Sequence, residues 1–66
     1  MTPMQRLAKI TGRDEMDILE EATFDSVALA ICEKCDYTDE LEPDGTMTCP
    51  ECGGQVKSCL LWAGII

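Results

Sequence analysis

Four of the five cysteines have a spacing that predicts a metal site. They form two Cys-x-x-Cys pairs, Cys32–Cys35 and Cys49–Cys52, separated by thirteen residues. Each pair can form a tight turn, the first and second knuckle, that directs two sulfur atoms at one ion. Four thiolates are a tetrahedral ligand set for structural zinc. We therefore expect one Zn²⁺ bound by Cys32, Cys35, Cys49 and Cys52.

Other uses of paired cysteines fit the sequence less well. Two disulfides would need an oxidising compartment, and residues 1–10 lack the apolar run of a secretory signal, so we expect a cytoplasmic protein. A thioredoxin-type redox site normally has one pair within a βαβ unit, and an iron–sulfur cluster suits paired knuckles less well than a single ion. Four protein ligands leave zinc no open position for a substrate, so we expect no enzyme activity.

The composition favours a domain that is stabilised by a metal. The chain has 66 residues, three aromatic side chains and no histidine, which excludes mixed cysteine–histidine sites. A hydrophobic core is barely sufficient at this length, and a structural zinc ion can add about 10–16 kcal/mol of folding free energy. No apolar run approaches the roughly 20 residues of a membrane span, so we expect no membrane partner.

The segment before the first knuckle predicts a helical hairpin. Residues 3–11 form the first helix, with Thr2 as its N-cap and Gly12 as its stop, and residues 13–23 form the second. Each helix has an apolar stripe at i, i+3 and i+4 spacing. The first stripe contains Met4, Leu7, Ala8 and Thr11, and the second contains Met16, Leu19, Ala22 and Thr23, with Ile18 beside it.

The remaining residues predict a three-stranded zinc ribbon. Residues 27–31 lead into the first knuckle as a strand, and residues 46–48 return along residues 37–42 after the Pro43-Asp44-Gly45 turn. Residues 55–62 are the third strand candidate. The fold class is thus a small metal-stabilised α+β domain over residues 1–66, with a helical segment 1–24 and a zinc ribbon 25–66.

The ribbon resembles a group of small uncharacterised zinc-ribbon proteins of bacteria and prophages. The similar segments are Asp25-Ser26-Val27, Ile31-Cys32, Cys35-Asp36-Tyr37-Thr38, Glu42-Pro43-Asp44, Cys49 to Gly53, Val56-Lys57-Ser58 and Ala63-Gly64-Ile65-Ile66. In that group the first knuckle is longer, and a small residue stands in place of Cys59. The resemblance implies a fold and a metal but no activity.

The knuckles are also similar to those of rubredoxins, which bind iron through four thiolates and transfer one electron. The similar residues are Cys35-Asp36-Tyr37 and Cys49-Pro50-Glu51-Cys52-Gly53. This chain lacks the aromatic-rich segment between the knuckles, where Tyr37 alone fits, and Asp36 stands where rubredoxins have glycine. A rubredoxin-like electron carrier with Fe in place of Zn²⁺ is therefore the second alternative function.

The charge favours a protein partner over nucleic acid. The net charge is −8, and all thirteen acidic residues lie within residues 14–51. An acidic ribbon attracts a basic protein surface, so the leading hypothesis is a non-enzymatic protein-binding adaptor or regulator. Its candidate partner-binding residues are Glu33, Asp36, Asp39, Glu40, Glu42, Asp44 and Glu51. The first alternative is a nucleic-acid-binding ribbon that uses the cations Arg6, Lys9 and Arg13.

The C-terminal segment 60–66 is unusually apolar. We expect it to end the last strand and pack on the helices, and an exposed end at Ile65 and Ile66 could join two copies in a homodimer. Cys59 lies outside both pairs and is expected to be a buried residue of that strand.

Overall fold

The computed structural model describes residues 2–66. Three helices and four strands occur within these residues, so the small α+β architecture with two N-terminal helices is confirmed. In chain order they are α1 (Pro3–Thr11), α2 (Glu15–Asp25), β1 (Ala28–Cys32), β2 (Thr38–Leu41), β3 (Thr46–Thr48), β4 (Gln55–Ser58) and α3 (Cys59–Trp62). Met1, which begins the predicted segment 1–24 and the predicted domain 1–66, lies outside the described residues.

Helix α1 has the predicted bounds because both of its ends are defined by residues within or next to its terminal turns. The Thr2 hydroxyl accepts the N–H of Gln5 at 3.2 Å, and the Gln5 side chain accepts the N–H of Thr2 at 3.0 Å. Pro3 occupies the first turn, where its missing N–H costs no helical hydrogen bond. Gly12 ends the helix in the left-handed conformation with φ of 70°.

Helix α2 begins two residues later than predicted and presents a different face. Asp14 is its N-cap residue, and Ser26 ends it with φ of 56°. Ile18 and Ala22 are the buried residues of this helix, whereas Met16 is 70% exposed and Thr23 is exposed. The predicted stripe is therefore wrong at Met16 and Thr23, whereas its other residues, Leu19 and Ala22, pack on the core with Ile18. Both stripes satisfy helical spacing, and the contact with β1 selects the one through Ile18.

The strands form one antiparallel sheet in the order β2-β1-β4-β3. β1 is central and pairs with both β2 and β4, while β3 pairs with β4. The sheet therefore has four strands where three were predicted. The predicted pairing of residues 46–48 with residues 37–42 is wrong, because β2 and β3 lie at opposite edges.

The knuckles explain this topology, since each forms the turn of a β-hairpin. The N–H of Cys32 donates to the carbonyl of Tyr37 at 3.0 Å, and the N–H of Cys49 donates to the carbonyl of Gly54 at 2.8 Å. The first turn sends β2 back along β1, and the second sends β4 back along β3. Residues 42–45 are consequently the crossover between two hairpins.

Ser58 fixes this crossover to the sheet. Its buried hydroxyl donates to the carbonyl of Pro43 at 2.6 Å, and its N–H donates to the carbonyl of Gly45 at 3.2 Å. Gly45 does not adopt a positive φ there. A Cβ on it would lie 2.9 Å from the Leu41 Cβ and 3.0 Å from the backbone of Glu42, so the turn requires glycine for space.

The predicted strand 55–62 is correct only for its first half. After β4 the chain forms α3, and the Ser58 hydroxyl caps it by accepting the N–H of Leu61 at 3.3 Å. The Trp62 indole N–H donates to the carbonyl of Ile31 at 3.0 Å and holds α3 against β1. Ile65 and Ile66 are 59% and 58% exposed, and the homodimer stays a prediction.

The buried side chains form two clusters. The helix-side core joins all three helices to the sheet and contains Met4, Leu7, Ile18, Ala22, Ala28, Ile31, Cys59 and Leu60. The knuckle-side core lies beside the cysteine pairs and contains Ala30, Cys32, Cys49 and Val56. The N-terminal helices are thus packed on the sheet. Over residues 2–66, every helix is too short or too polar to cross a membrane.

Candidate metal centre

The two knuckles bring the four predicted ligand residues together. All four Sγ atoms lie within 4.8 Å of one another. Two sulfur–sulfur contacts join the two knuckles, at 3.4 Å between Cys32 and Cys52 and 3.5 Å between Cys35 and Cys49. Zn–S bonds of about 2.3 Å in a tetrahedron imply sulfur–sulfur edges of about 3.8 Å. A disulfide needs about 2.05 Å, so these thiols are free and close enough to share an ion.

The sulfur cluster lies at one end of the sheet and reaches the surface on one side. The leading cysteine of each knuckle, Cys32 or Cys49, is buried. Of the two others, Cys35 is half-buried and Cys52 is exposed. The site is therefore anchored in the knuckle-side core by one sulfur of each pair.

Two glycines shape the second knuckle. Gly53 has φ of 75°, a left-handed conformation that lets the chain turn after Cys52. Gly54 is buried, and a Cβ on it would lie 3.2 Å from the Cys32 sulfur and 3.3 Å from the Cys52 sulfur. Gly53 thus supplies the unusual backbone of the knuckle, and Gly54 allows a close approach to the sulfurs.

The thiols influence one another's protonation. Burial opposes ionisation of Cys32, but the N–H groups of Lys34 and Cys35 and the nearby thiols outweigh it and lower its pKa to about 6. At Cys35 the N–H of Tyr37 favours the thiolate, yet burial and the other sulfurs raise its pKa to about 12. The Gly54 N–H favours the thiolate of Cys52, but the Cys32 sulfur and burial raise its pKa. An ion bound by all four sulfurs must displace protons, so its affinity decreases at low pH.

Arg6 is the residue at this site that the sequence did not predict. Its Nη2 donates to the carbonyls of Cys32 at 2.7 Å and Glu33 at 2.8 Å, and its Nη1 donates to the carbonyl of Cys35. Nη1 also lies 3.4 Å from Asp36 Oδ1. Its guanidinium is thus bound to the first knuckle, and a nucleic-acid contact at Arg6 stays a prediction. At a separation of 26 or more residues, no local pattern could have indicated the contact with the knuckle.

Of the other predicted basic residues, Lys9 lines one surface pocket together with Arg6, whereas Arg13 lies apart from them. Gly12 ends α1 before Arg13, and Arg13 forms an ion pair with Glu21 of α2. Lys9 is exposed on α1. Arg13 is therefore separated from Arg6 and Lys9, and the nucleic-acid alternative stays a prediction.

The seven predicted partner-binding residues are all exposed. Three lie in or next to the knuckles, two lie on the edge strand β2 and two lie in the crossover: Glu33, Asp36, Glu51, Asp39, Glu40, Glu42 and Asp44. Asp39 is partly engaged within the chain, since its carboxylate accepts the Tyr37 hydroxyl at 3.3 Å and the N–H of Glu40 at 2.7 Å. Asp39 and Glu40 thus lie on the edge strand β2, and Asp36 and Glu42 lie just beyond its two ends.

Cys59 lies in the helix-side core and outside the sulfur cluster. It is buried as predicted, although it begins α3 instead of lying in a strand. Burial raises the pKa of its thiol. Cys59 is thus an apolar core residue of this structure.

No family model matches the chain, and neither a curated protein nor a solved structure matches it. The resemblance to bacterial and prophage zinc ribbons therefore stays a prediction. Functional inference depends on the geometry of the site itself.

Proposed function

We propose that this chain is a structural zinc module in which Cys32, Cys35, Cys49 and Cys52 bind one Zn²⁺. The supporting observation is the convergence of four free sulfurs within 4.8 Å on the turns of two separate hairpins. A four-thiolate zinc ion has no open position, so its role would be to hold the two hairpins together. In this proposal the protein has no enzymatic activity.

Elemental analysis of protein purified without added metal tests the proposal. We expect one zinc per chain, no visible colour, and sulfur-to-metal charge-transfer bands after exchange for Co²⁺. Cys49→Ser should lose the metal, whereas Cys59→Ser, which changes a cysteine outside the cluster, should retain it. Metal-free wild-type protein with four reactive thiols would contradict the proposal.

Iron is the alternative occupant of the same ligand set. The exposed position of Cys52 supports it, because an electron donor could approach a ligand sulfur at the surface. One iron per chain, a red colour and a reversible one-electron couple would favour an electron carrier. Reconstitution with both metals in competition would distinguish the preference of the protein from that of the expression host.

We also propose that the module is an adaptor for a protein with a basic surface. The support is the row of exposed acids along β2 and at both of its ends, in a chain of net charge −8. Such a row attracts a basic partner over several ångströms and selects against acidic ones.

A comparison of two charge-matched double variants tests the adaptor function. Asp39→Asn with Glu40→Gln removes two charges from β2, and Asp17→Asn with Glu20→Gln removes two exposed charges from α2. Partners retained at low salt should be lost from the β2 variant and kept by the α2 variant. Equal retention by both would contradict the proposal. A DNA mobility shift at low salt that Lys9→Gln abolishes would favour the nucleic-acid alternative instead.

A further inference from the structure

We infer that Arg6 is a positioning residue for the metal centre and that it makes the docking of α1 and the binding of metal depend on each other. This inference rests on the proposed four-cysteine metal site. It concerns a residue of the N-terminal helix that lies outside the ribbon and donates no ligand atom.

The first knuckle presents its backbone to Arg6 and its sulfurs to the ion. The N–H of Lys34 points to the Cys32 sulfur at 3.4 Å, as expected for a turn that stabilises a thiolate. Three carbonyls of the same turn, those of Cys32, Glu33 and Cys35, converge instead on the guanidinium. Arg6 thus fixes the peptide groups that set the positions of two ligand sulfurs.

The chemistry of this contact is specific to arginine. A planar guanidinium has five donors in a fixed arrangement, whereas a lysine ammonium is a single point of charge. The Arg6 side chain is 16% exposed, while that of Asp36, its ion-pair partner, is 75% exposed. The carbonyls are therefore the main partners of the guanidinium. Its positive charge also lies beside a centre that would carry four thiolates around a divalent ion.

Helix α1 connects this contact to the core. Arg6 lies between Met4 and Leu7 in sequence, and both of these side chains are buried in the helix-side core. Packing of α1 therefore determines where the guanidinium lies, and the guanidinium determines the shape of the knuckle. If docking of α1 raises the metal affinity by some factor, metal binding must stabilise the docked helix by the same factor.

The test compares Arg6→Gln and Arg6→Lys with Arg13→Gln, which makes the same charge change as Arg6→Gln at a distant surface ion pair. Zinc affinity is measured by competition with a chromophoric chelator, and the Co²⁺ bands report the geometry of the thiolates. Hydrogen exchange of residues 3–11 in the zinc-loaded protein reports the docking of α1. Ile18→Val, which weakens the helix-side core without touching the knuckle, controls for a general loss of stability.

We expect Arg6→Gln to bind zinc about 10- to 100-fold more weakly, the usual effect of removing a group that orients metal ligands. Its Co²⁺ bands should shift and its α1 amides should exchange faster with zinc bound. Arg6→Lys should be intermediate, and Arg13→Gln and Ile18→Val should keep the wild-type bands.

Two results would overturn the inference, and they are distinguishable from failure of the zinc proposal. The coupling is wrong if wild type binds one zinc but Arg6→Gln matches Arg13→Gln in affinity and bands. It is also wrong if the backbone amides of α1 exchange their hydrogens at the wild-type rate in the zinc-loaded Arg6→Gln variant. If Arg6→Gln does not fold, the same comparison is made with Arg6→Lys, because the bands report only metal-bound molecules. Wild-type protein that binds no metal overturns the proposed function itself.

Discussion

The helix-side core and the knuckle-side core are stabilised by different means. The helix-side core has eight buried residues from four elements, including the large side chains of Leu7 and Ile18. The knuckle-side core has four buried residues, of which Cys32 and Cys49 belong to the sulfur cluster. Apolar burial therefore stabilises the first region, whereas in our proposal a metal bound by the sulfurs stabilises the second.

One strand belongs to both regions. β1 contributes Ala28 and Ile31 to the helix-side core and Ala30 and Cys32 to the knuckle-side core. Its central position in the sheet means that neither region can rearrange without moving a strand of the other. Removal of a bound metal should thus destabilise the two regions to different degrees. Both regions should nevertheless unfold together when the loss of stability is large.

Loss of one proposed metal ligand should have the largest effect on stability and should destabilise the knuckle-side core first. Cys49→Ser removes a buried sulfur, and with it a metal-binding free energy of about 10–16 kcal/mol. This exceeds the total stability of many domains, so we expect loss of sheet signal in circular dichroism and of bound metal. The wild-type protein with excess chelator should lose the sheet signal and the bound metal in the same way. A variant that stays fully folded without metal would show that apolar packing stabilises both regions.

Truncation in the helix-side core should be the next largest effect and should act on the packing of α1. Leu7→Ala empties a fully buried site and should cost about 2–5 kcal/mol in the free energy of unfolding. Urea unfolding of the zinc-loaded protein measures this loss. Ile10→Ala, on the same helix at a site 46% exposed, is the matched control and should cost far less. Equal losses would mean that α1 is not held by this core.

Substitutions of the two adjacent glycines of the second knuckle should distinguish the cost of a strained backbone from the cost of displacing the sulfurs. Gly54→Ala places a methyl group against two sulfurs and should cost about 1–3 kcal/mol while shifting the Co²⁺ bands. Gly53→Ala puts a side chain at positive φ in open space and should cost about 1–2 kcal/mol with unchanged bands. Unshifted bands in Gly54→Ala would show that the knuckle can widen freely.

The smallest expected effect is a pH dependence from Cys59. Burial raises the pKa of this thiol from its usual value of 9.0, so the folded protein holds the proton more tightly than the unfolded chain. The resulting stabilisation is complete below the unfolded pKa and is lost as pH rises through the folded pKa. The thermal unfolding temperature of zinc-loaded Cys59→Ala should therefore fall less between about pH 8 and pH 10 than that of the wild-type protein. Identical declines in unfolding temperature for the two proteins would show that another group causes this pH dependence.

Local signals predicted the parts of this fold that are fixed locally. The bounds of α1 follow from Thr2, Pro3 and Gly12, which act within one turn of the helix. The four-cysteine cluster follows from the Cys-x-x-Cys spacing, because each pair supplies its own turn. These features could be predicted because the groups that determine them are neighbours in the sequence.

The features that depend on distant partners were not predictable. The pairing of β3 depends on each knuckle being a hairpin turn, and the pattern of residues 43–45 indicated the wrong hairpin. Residues 59–62 have strand-like composition, yet the hydroxyl of Ser58 caps them as a helix. The carbonyls that bind Arg6 are created only when the first knuckle folds.

The arrangement of two hairpins, each with one knuckle as its turn, has a consequence for the order of assembly. Residues 28–41 and 46–58 can each form a hairpin from neighbouring segments and present two sulfurs before meeting the other. An ion captured by the first pair would then recruit the second pair as β4 pairs with β1. The metal would thus act as a template for the last step of folding, the joining of two halves that each carry half of the ligand set.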